Sequence, residues 1–133
     1  MDFTKKKFKK YSDNRGDLIV FLQKGDLADA YKTFGQIYFV TFTQKGIIRG
    51  NHYHNVWHEW FGVVAGKVRV TLEDVKTKKR KEFILDAKRD IYTRLEIGPG
   101  IAHKIESLTK YAALLNYADG EWSSDDSIRY EIV

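Results

Sequence analysis

Alternation of apolar and polar residues with a period of two is the feature that most constrains how this chain folds. Val68, Val70 and Leu72 alternate with polar neighbours, as in a strand with one buried face and one wet face. Segments rich in β-branched and aromatic residues predict further strands at residues 36–42, 82–85, 90–97, 103–106 and 111–117. Many short strands separated by turns predict an all-β sandwich or barrel.

The length and composition favour a single domain. With 133 residues, one proline and no run rich in glycine and serine, the chain has room for one core and no recognisable linker. We therefore expect one domain over residues 1–133. Residues 26–34 are the one segment of the sequence that indicates a helical turn. In the polar segment after Asp119, Trp122 and Tyr130 are expected to act as anchors.

The residue types exclude several classes of protein and site. The chain has no cysteine, so disulfides and thiolate metal sites are excluded, and a metal would need nitrogen and oxygen ligands. The first ten residues carry charge without the apolar core of a signal peptide, and no apolar run approaches a membrane span. We expect a cytoplasmic protein with no membrane partner.

Much of the formal net charge of +5 comes from two basic clusters, at residues 5–10 and 76–81. A solvated edge strand and a hairpin tip account for both clusters. Neither is interleaved with the aromatic side chains on which bases stack, so no nucleic acid is expected as a partner. A phosphorylated small substrate is compatible with the surplus of positive charge.

Three of the four histidines and a glutamate crowd into residues 46–62. Residues two apart on a strand face the same side, so His52 and His54 are predicted to project together. Glu59 is an odd number of positions from His54, and a turn or bulge within residues 55–58 is needed to bring it alongside. By itself the pattern is compatible with metal binding and with acid/base chemistry.

Two spaced motifs extend this cluster. The first, G-x5-H-x-H-x4-E-x6-G, comprises Gly46, His52, His54, Glu59 and Gly66. The second, P-G-x-x-H, comprises Pro99, Gly100 and His103. Together they resemble the two motifs of the cupin superfamily, although Gly98 and Ser107 stand where many cupins have proline and asparagine. The resemblance implies a jelly-roll β-barrel whose mouth receives the side chains of His52, His54, Glu59 and His103.

A further signature resembles cupins that act on nucleotide-linked 4-keto-6-deoxy sugars. It consists of Asp13-x-Arg-Gly16 and Arg49-Gly-x-His52. The dTDP-4-dehydrorhamnose 3,5-epimerases have R-G-x-H-x-Q here, and the dTDP-sugar 3,4-ketoisomerases have R-G-x-H-x-H. The full run R-G-N-H-Y-H-N is most similar to the zinc-containing C-terminal cupin domain of bifunctional capsular-polysaccharide UDP-4-keto-sugar epimerase/reductases. No glycine-rich phosphate loop of the reductase half is present, so no organic cofactor is expected.

The resemblance implies an isomerase or epimerase of a nucleotide-diphosphate sugar in surface-polysaccharide biosynthesis, assembled as a homodimer. The reaction would be C3 epimerisation or 3,4-ketoisomerisation through an enolate, with three catalytic residues, His52, His54 and Glu59. The resemblance also implies zinc, or another divalent metal, with four ligands, His52, His54, Glu59 and His103.

Metal binding and base catalysis compete for the same side chains. A metal-bound histidine has its lone pair occupied, so with a metal present the base would be His58, Tyr53 or Tyr38. Without a metal, His52 and His54 are free to act directly.

Substrate contacts are expected from basic and aromatic side chains near the motif. The guanidinium fork matches phosphate, which favours Arg49 and, less strongly, Arg15 as phosphate contacts. Tyr53 is a further candidate substrate-binding residue. Trp57 and Trp60 flank the motif, and packing in the barrel explains them better than stacking on a base.

Two other functions remain open. Three histidines and a glutamate with free coordination positions would also suit a metal-dependent dioxygenase-type cupin. A non-catalytic sugar-binding cupin would keep the barrel without the reaction. Iron-dependent oxygen uptake would mark the first, and binding of an intact sugar nucleotide without turnover would mark the second.

Overall fold

The computed structural model describes residues 1–28, 34–121 and 123–133. In chain order its strands are β1 (Phe3–Lys9), β2 (Tyr11–Asp13), β3 (Gly16–Leu18), β4 (Gln36–Phe42), β5 (Ile48–Tyr53), β6 (Glu59–Ala65), β7 (Lys67–Asp74), β8 (Arg80–Asp86), β9 (Ile91–Ile97), β10 (Ile101–Ser107), β11 (Ala112–Ala118) and β12 (Ile128–Arg129).

Two antiparallel sheets of five strands each form the barrel in this part of the chain. Their spatial orders are β1-β9-β6-β11-β4 and β12-β5-β10-β7-β8, and β2 and β3 make a separate hairpin. Most neighbours in space are therefore distant in the chain, as in a jelly roll. The predicted all-β class and cupin jelly-roll barrel are confirmed.

The six predicted strands correspond to β4 and β7 to β11, with β9 and β11 each beginning one residue later than predicted. Ala65-Gly66-Lys67 is the expected tight turn, and Gly66 has a φ of +73° there. A 3₁₀ turn spans Lys24–Asp26 and overlaps the predicted helical region, 26–34, only at Asp26. Residues 29–33 of that prediction, and the candidate anchor Trp122, lie outside the described residues.

The core fills the space between the two sheets. Its fully buried members come from both of them: Phe42, Phe61, Val68, Val70, Leu72, Leu85, Leu95 and Leu114. The prediction of a wet outer face on β7 is wrong at Thr71 and Glu73, which are both buried. Arg80 and Tyr130 donate hydrogen bonds to Glu73. Across the described ranges, no helix is both long and apolar enough to cross a membrane.

The C-terminal strap, defined as residues 123–133, runs along the outer edge of β5. Its strand β12 pairs with the end of β5. Asn51 holds the rest of the strap, since its backbone oxygen accepts from the N–H of Tyr130 at 2.8 Å and its side-chain oxygen accepts from the N–H of Ile132 at 3.1 Å. The strap is thereby fixed beside the strand that carries the histidine pair.

Candidate active site

A bulge in β5 decides which of its side chains reach the interior. Gly50 and Asn51 have positive φ angles, of 92° and 55°, and the pairing of β5 with β10 shifts register at this point. Arg49 and His52 consequently line the same cavity although they are three positions apart. On a regular strand their side chains would face opposite sides.

The turn required by strand parity lies between β5 and β6. His54 follows β5 directly, and Glu59 is the first residue of β6. Both are buried, at 5% and 3% exposure. The turn brings them together, with Nε2 of His54 lying 3.7 Å from Oε1 of Glu59.

Strand β10 brings in the fourth histidine. His103 pairs with His52 across the sheet, with ring centroids 4.6 Å apart, and its Nε2 lies 3.6 Å from Oε2 of Glu59. Ring nitrogens of His52, His54 and His103 all lie within 4.8 Å of one another. The structure therefore gathers the four predicted side chains at one place.

A cavity of about 330 Å³ opens beside this cluster, within the size range of small-molecule sites. Its polar lining consists of Tyr38, Arg49, His52, Glu59, His103 and Asn116. Its apolar lining consists of Val40, Phe42, Phe61, Ile105 and Leu114. His54 sits at the side of the cavity, stacked on the ring of Trp57 with centroids 4.7 Å apart.

Tyr38 is joined directly to the cluster. Its hydroxyl donates to Oε1 of Glu59 at 2.6 Å. Burial raises the pKa of Tyr38 above its ordinary value, and the charge of Glu59 raises it further. Tyr38 is therefore protonated at neutral pH and acts as a hydrogen-bond donor on the cavity wall.

His52 and His103 are held in their neutral form. Burial lowers the pKa of His52 to about 4, and the neighbouring His103 and His54 add to the effect. Burial also lowers the pKa of His103, against the opposing charge of Glu59. Neutral imidazoles are the form that binds metal ions.

The donor set fits a divalent cation. Over the ranges that the structure describes, Nε2 of His54 and Oε2 of Glu59 are buried with no hydrogen-bond partner. Leaving such atoms unpaired costs free energy, and an ion between them would remove that cost. Three imidazole nitrogens and one carboxylate match the ligand types of zinc.

Comparison with known proteins places this site in a family. The model of the polysaccharide biosynthesis C-terminal domain matches residues 11–122. The chain belongs to that family. No curated protein matches the chain significantly.

Solved structures show which proteins share the fold of this polysaccharide biosynthesis C-terminal domain. The sugar 3,4-ketoisomerase QdtA from Thermoanaerobacterium thermosaccharolyticum, in complex with TDP, is 26% identical, with a TM-score of 0.78 over 96% of this chain and 88% of that one. The 3'-monoepimerase ChmJ from Streptomyces bikiniensis is 18% identical, with a TM-score of 0.82 over 95% and 68%. The resemblance to nucleotide-sugar-modifying cupins is confirmed.

The capsular polysaccharide assembling protein CapF from Staphylococcus aureus shares the fold over a smaller part. It is 23% identical, with a TM-score of 0.68, and the match covers 75% of this chain and 27% of CapF. The region that matches this chain is therefore a minor part of CapF, which is a longer protein.

Besides His54, three candidate site residues named from the sequence lie outside the cavity lining. Arg15 is exposed in the β2–β3 hairpin and is ion-paired with Asp13 at 2.5 Å. Tyr53 faces away from the cavity and packs edge-on against Tyr130, with centroids 6.0 Å apart. Nδ1 of His58 lies 3.5 Å from the carboxylate of Asp119.

Two polar residues at or beside the site were not foreseen from the sequence. Asn116 lines the cavity, and its register partner on β4 is Tyr38. Asp126, in the C-terminal strap, contacts His54 and the turn that follows it. Asn116 lies in an otherwise apolar predicted strand, and such a position is the one signal that could have indicated a site residue.

Proposed function

We propose that this protein is an isomerase or epimerase of a nucleotide-linked 4-keto-6-deoxy sugar in surface-polysaccharide biosynthesis. The observation that carries the proposal is the convergence of His52, His103 and the Tyr38–Glu59 pair on one cavity. The structural likeness to a sugar 3,4-ketoisomerase solved with TDP supports the proposed reaction and the proposed nucleotide-sugar ligand.

The reaction follows from the acidity of the sugar. A carbonyl at C4 acidifies the proton on C3, and removing that proton gives an enolate. Return of a proton to the other face of C3 inverts that carbon, whereas protonation at C4 with the carbonyl moved to C3 gives the 3,4-ketoisomer. Both outcomes need a base, and both need donors for the enolate oxygen.

The lining of the cavity suits a deoxygenated sugar. Five apolar side chains, Val40, Phe42, Phe61, Ile105 and Leu114, occupy one part of the wall. A 6-deoxy sugar has a methyl group in place of a hydroxyl, and burying that methyl group against apolar side chains stabilises binding without leaving a polar group unpaired.

Two donors on adjacent strands can stabilise the enolate oxygen. The hydroxyl of Tyr38 is protonated, and Asn116 lies directly across from it. Within the described part of the chain, Nδ2 of Asn116 is buried without a hydrogen-bond partner. In the proposed reaction Asn116 donates to the oxygen on which negative charge develops, and Tyr38 does so by turning its hydroxyl from Glu59 to that oxygen.

We also propose that His52, His54, Glu59 and His103 hold a divalent ion such as zinc. A bound ion would supply Lewis-acid stabilisation of the enolate. Ion binding also determines the base. With His52 occupied as a ligand, its lone pair is not free to take the proton; in the metal-free protein, His52 is the base.

Arg49 is proposed to bind the diphosphate. Its side chain is exposed at the edge of the cavity, and it forms no ion pair with another described residue. An unpaired guanidinium at the rim of a cavity is suited to bidentate contact with phosphate. Arg15 and Tyr53 stay candidate substrate contacts from the sequence, and they lie outside the cavity lining.

Solvent exchange tests the proposed function. Protein is mixed in deuterated water with UDP- and dTDP-linked 4-keto-6-deoxy sugars, and the ring positions are followed by NMR. We expect deuterium at C3 with inversion there for an epimerase, or deuterium at C4 with the carbonyl moved to C3 for a ketoisomerase. Absence of exchange with both nucleotides would refute the proposal.

Elemental analysis combined with chelation tests whether the protein binds zinc and whether its activity requires the ion. We expect about one equivalent of zinc per chain and loss of exchange after chelation, restored by added zinc. A metal-free protein that is fully active would contradict the metal proposal, and would leave His52 as the base. In that case His52→Gln should abolish exchange and Tyr38→Phe should only reduce it.

A further inference from the structure

The turn of residues 55–58 is held by carboxylates from the far end of the chain. Asp126 accepts hydrogen bonds at 2.6 to 3.3 Å from three consecutive backbone N–H groups, those of Asn55, Val56 and Trp57. Asp119 accepts from the fourth, that of His58, at 2.9 Å. All four amide groups of the turn are therefore satisfied by two charged side chains, in hydrogen bonds stronger than neutral ones.

Asp126 also contacts a cluster residue directly. Nδ1 of His54 donates to the backbone oxygen of Asp126. Donation from Nδ1 selects the tautomer in which Nε2 carries no proton, so the Nε2 lone pair is directed at the cluster, where Oε1 of Glu59 lies 3.7 Å away. One residue thus fixes the orientation of the ring and the position of its proton.

The two contacts of Asp126 act on His54 and on the turn that follows it. His54 precedes the turn and Glu59 follows it, and their separation depends on how the turn closes. Asp126 is 9% exposed, and it lies in the C-terminal strap, beyond residues 11–122 that the family model matches. The strap therefore brings to the site a group that the matched part of the chain lacks.

We propose that Asp126 is a positioning residue that closes the 55–57 turn on His54 and Glu59 and sets the tautomer of His54. It does not line the cavity. It acts through the two side chains that it holds in place, as outer partners of metal-binding histidines do. The expected effect of Asp126 on turnover depends on the proposed function being correct. The expected effect of Asp126 on the His54 tautomer does not depend on it.

Two substitutions distinguish the effect of the carboxylate's hydrogen bonds from the effect of the size of the Asp126 side chain. Asp126→Asn keeps the size of the side chain but sets an NH2 group against backbone N–H groups, so at least one hydrogen bond is lost. Asp126→Ala removes them all. Asp125→Asn is the matched control, because Asp125 is the adjacent carboxylate and is exposed.

Long-range ¹H–¹⁵N NMR of the histidine rings reads the tautomer in the full-length protein without any substrate. We expect the Nδ1–H form of His54 in the wild type and in Asp125→Asn. In both Asp126 variants we expect a mixture of forms, because the backbone oxygen that accepts from Nδ1 remains but shifts once the carboxylate no longer binds the turn. Zinc competition against a chromophoric chelator and the solvent exchange assay are run on the same proteins, with thermal melting to confirm that each variant is folded.

We expect zinc affinity and kcat to fall roughly 10- to 100-fold in Asp126→Ala and less in Asp126→Asn, with KM within about twofold of the wild type. The inference is overturned if wild-type His54 carries its proton on Nε2, or if folded Asp126→Ala keeps the wild-type tautomer and kcat. A wild type without exchange activity but with the expected tautomers would refute the proposed function alone.

Discussion

At the scale of single residues, Glu59 is the centre of the site. Its carboxylate accepts from Tyr38 and lies within 3.7 Å of ring nitrogens on His54 and His103. Its second oxygen has no hydrogen bond among the residues that are described. In the proposed reaction, a buried carboxylate with this set of neighbours would link proton transfer to ion binding, so substitutions here should affect both.

Glu59→Gln tests that link. The amide keeps the shape but loses the negative charge, so we expect weaker zinc binding and a solvent exchange rate lower by at least about 100-fold. Zinc titration and exchange NMR measure the two effects. Glu121→Gln, at an exposed position, is the control and should behave as wild type; full exchange activity in Glu59→Gln would contradict the assignment.

Arg49→Ala tests the phosphate contact. A hydrogen bond to a charged group contributes about 1.5–3 kcal/mol, so KM for the nucleotide sugar should rise about tenfold or more with a smaller change in kcat. Arg89→Ala removes the same charge from an exposed position after β8. Equal KM values in the two variants would show that only net charge matters.

At the scale of elements, the bulge in β5 determines which side chains of that strand line the cavity. The backbone at Gly50 approaches β10 so closely that a Cβ there would lie 2.6 Å from the backbone oxygen of His103. Gly50 also has a positive φ, which an L side chain rarely adopts. Glycine is needed here for two separate reasons, and the bulge aligns Arg49 with His52.

Gly50→Ala should therefore cost more stability than backbone strain alone predicts. Gly46 has nearly the same φ, +89° against +92°, but open space where its Cβ would be. Gly46→Ala should lose only about 1–2 kcal/mol, the cost of left-handed backbone. Denaturant unfolding of both variants isolates the effect of close approach, and equal losses would argue against the bulge geometry.

At the scale of the whole molecule, a buried ion pair fastens the segment before β4 to the barrel. Asp26 accepts from Lys6 on β1 at 3.0 Å and from Arg94 on β9 at 3.2 Å. Burial raises the pKa of Asp26, but hydrogen bonds from Lys6, the backbone of Gln23 and Arg94 outweigh it and leave the pKa below its ordinary value. The contact is thus a source of pH-dependent stability.

The sign of this dependence follows from the lowered pKa. Asp26 stabilises the fold above its unfolded pKa, about 3.9, and that stability is lost as the pH falls through the lower folded value. Asp26→Asn should lose about 1–3 kcal/mol at pH 7 and less in acid. Melting curves from pH 7 to pH 2 measure the difference, with Asp90→Asn as an exposed control. A deficit that does not shrink in acid would contradict the assignment.

Other properties of the whole molecule stay predictions. The single domain over residues 1–133, the homodimer and the cytoplasmic location rest on composition and on the cupin resemblance. The apolar side chains that β4 exposes, Ile37 at 63% and Phe39 at 74%, are compatible with burial against another surface.

What the sequence determined by itself is local. Period-two alternation and segments rich in β-branched and aromatic residues predicted six strands, because side chains of a strand face alternate sides and these residue types favour strands. Parity paired His52 with His54 and required the turn before Glu59. The spacing of the two motifs indicated the family, and the resemblance brought His103 to the same site.

Only the tertiary structure decided how these pieces meet. Strand parity does not predict a bulge, so the common face of Arg49 and His52 was not visible. The contacts of Asp126 with His54 and of Tyr38 with Glu59 span 72 and 21 residues. Periodicity reports which face of its own strand a side chain occupies; which distant strand lies against that face depends on the register and order of the sheets, and those are set by packing of the whole barrel.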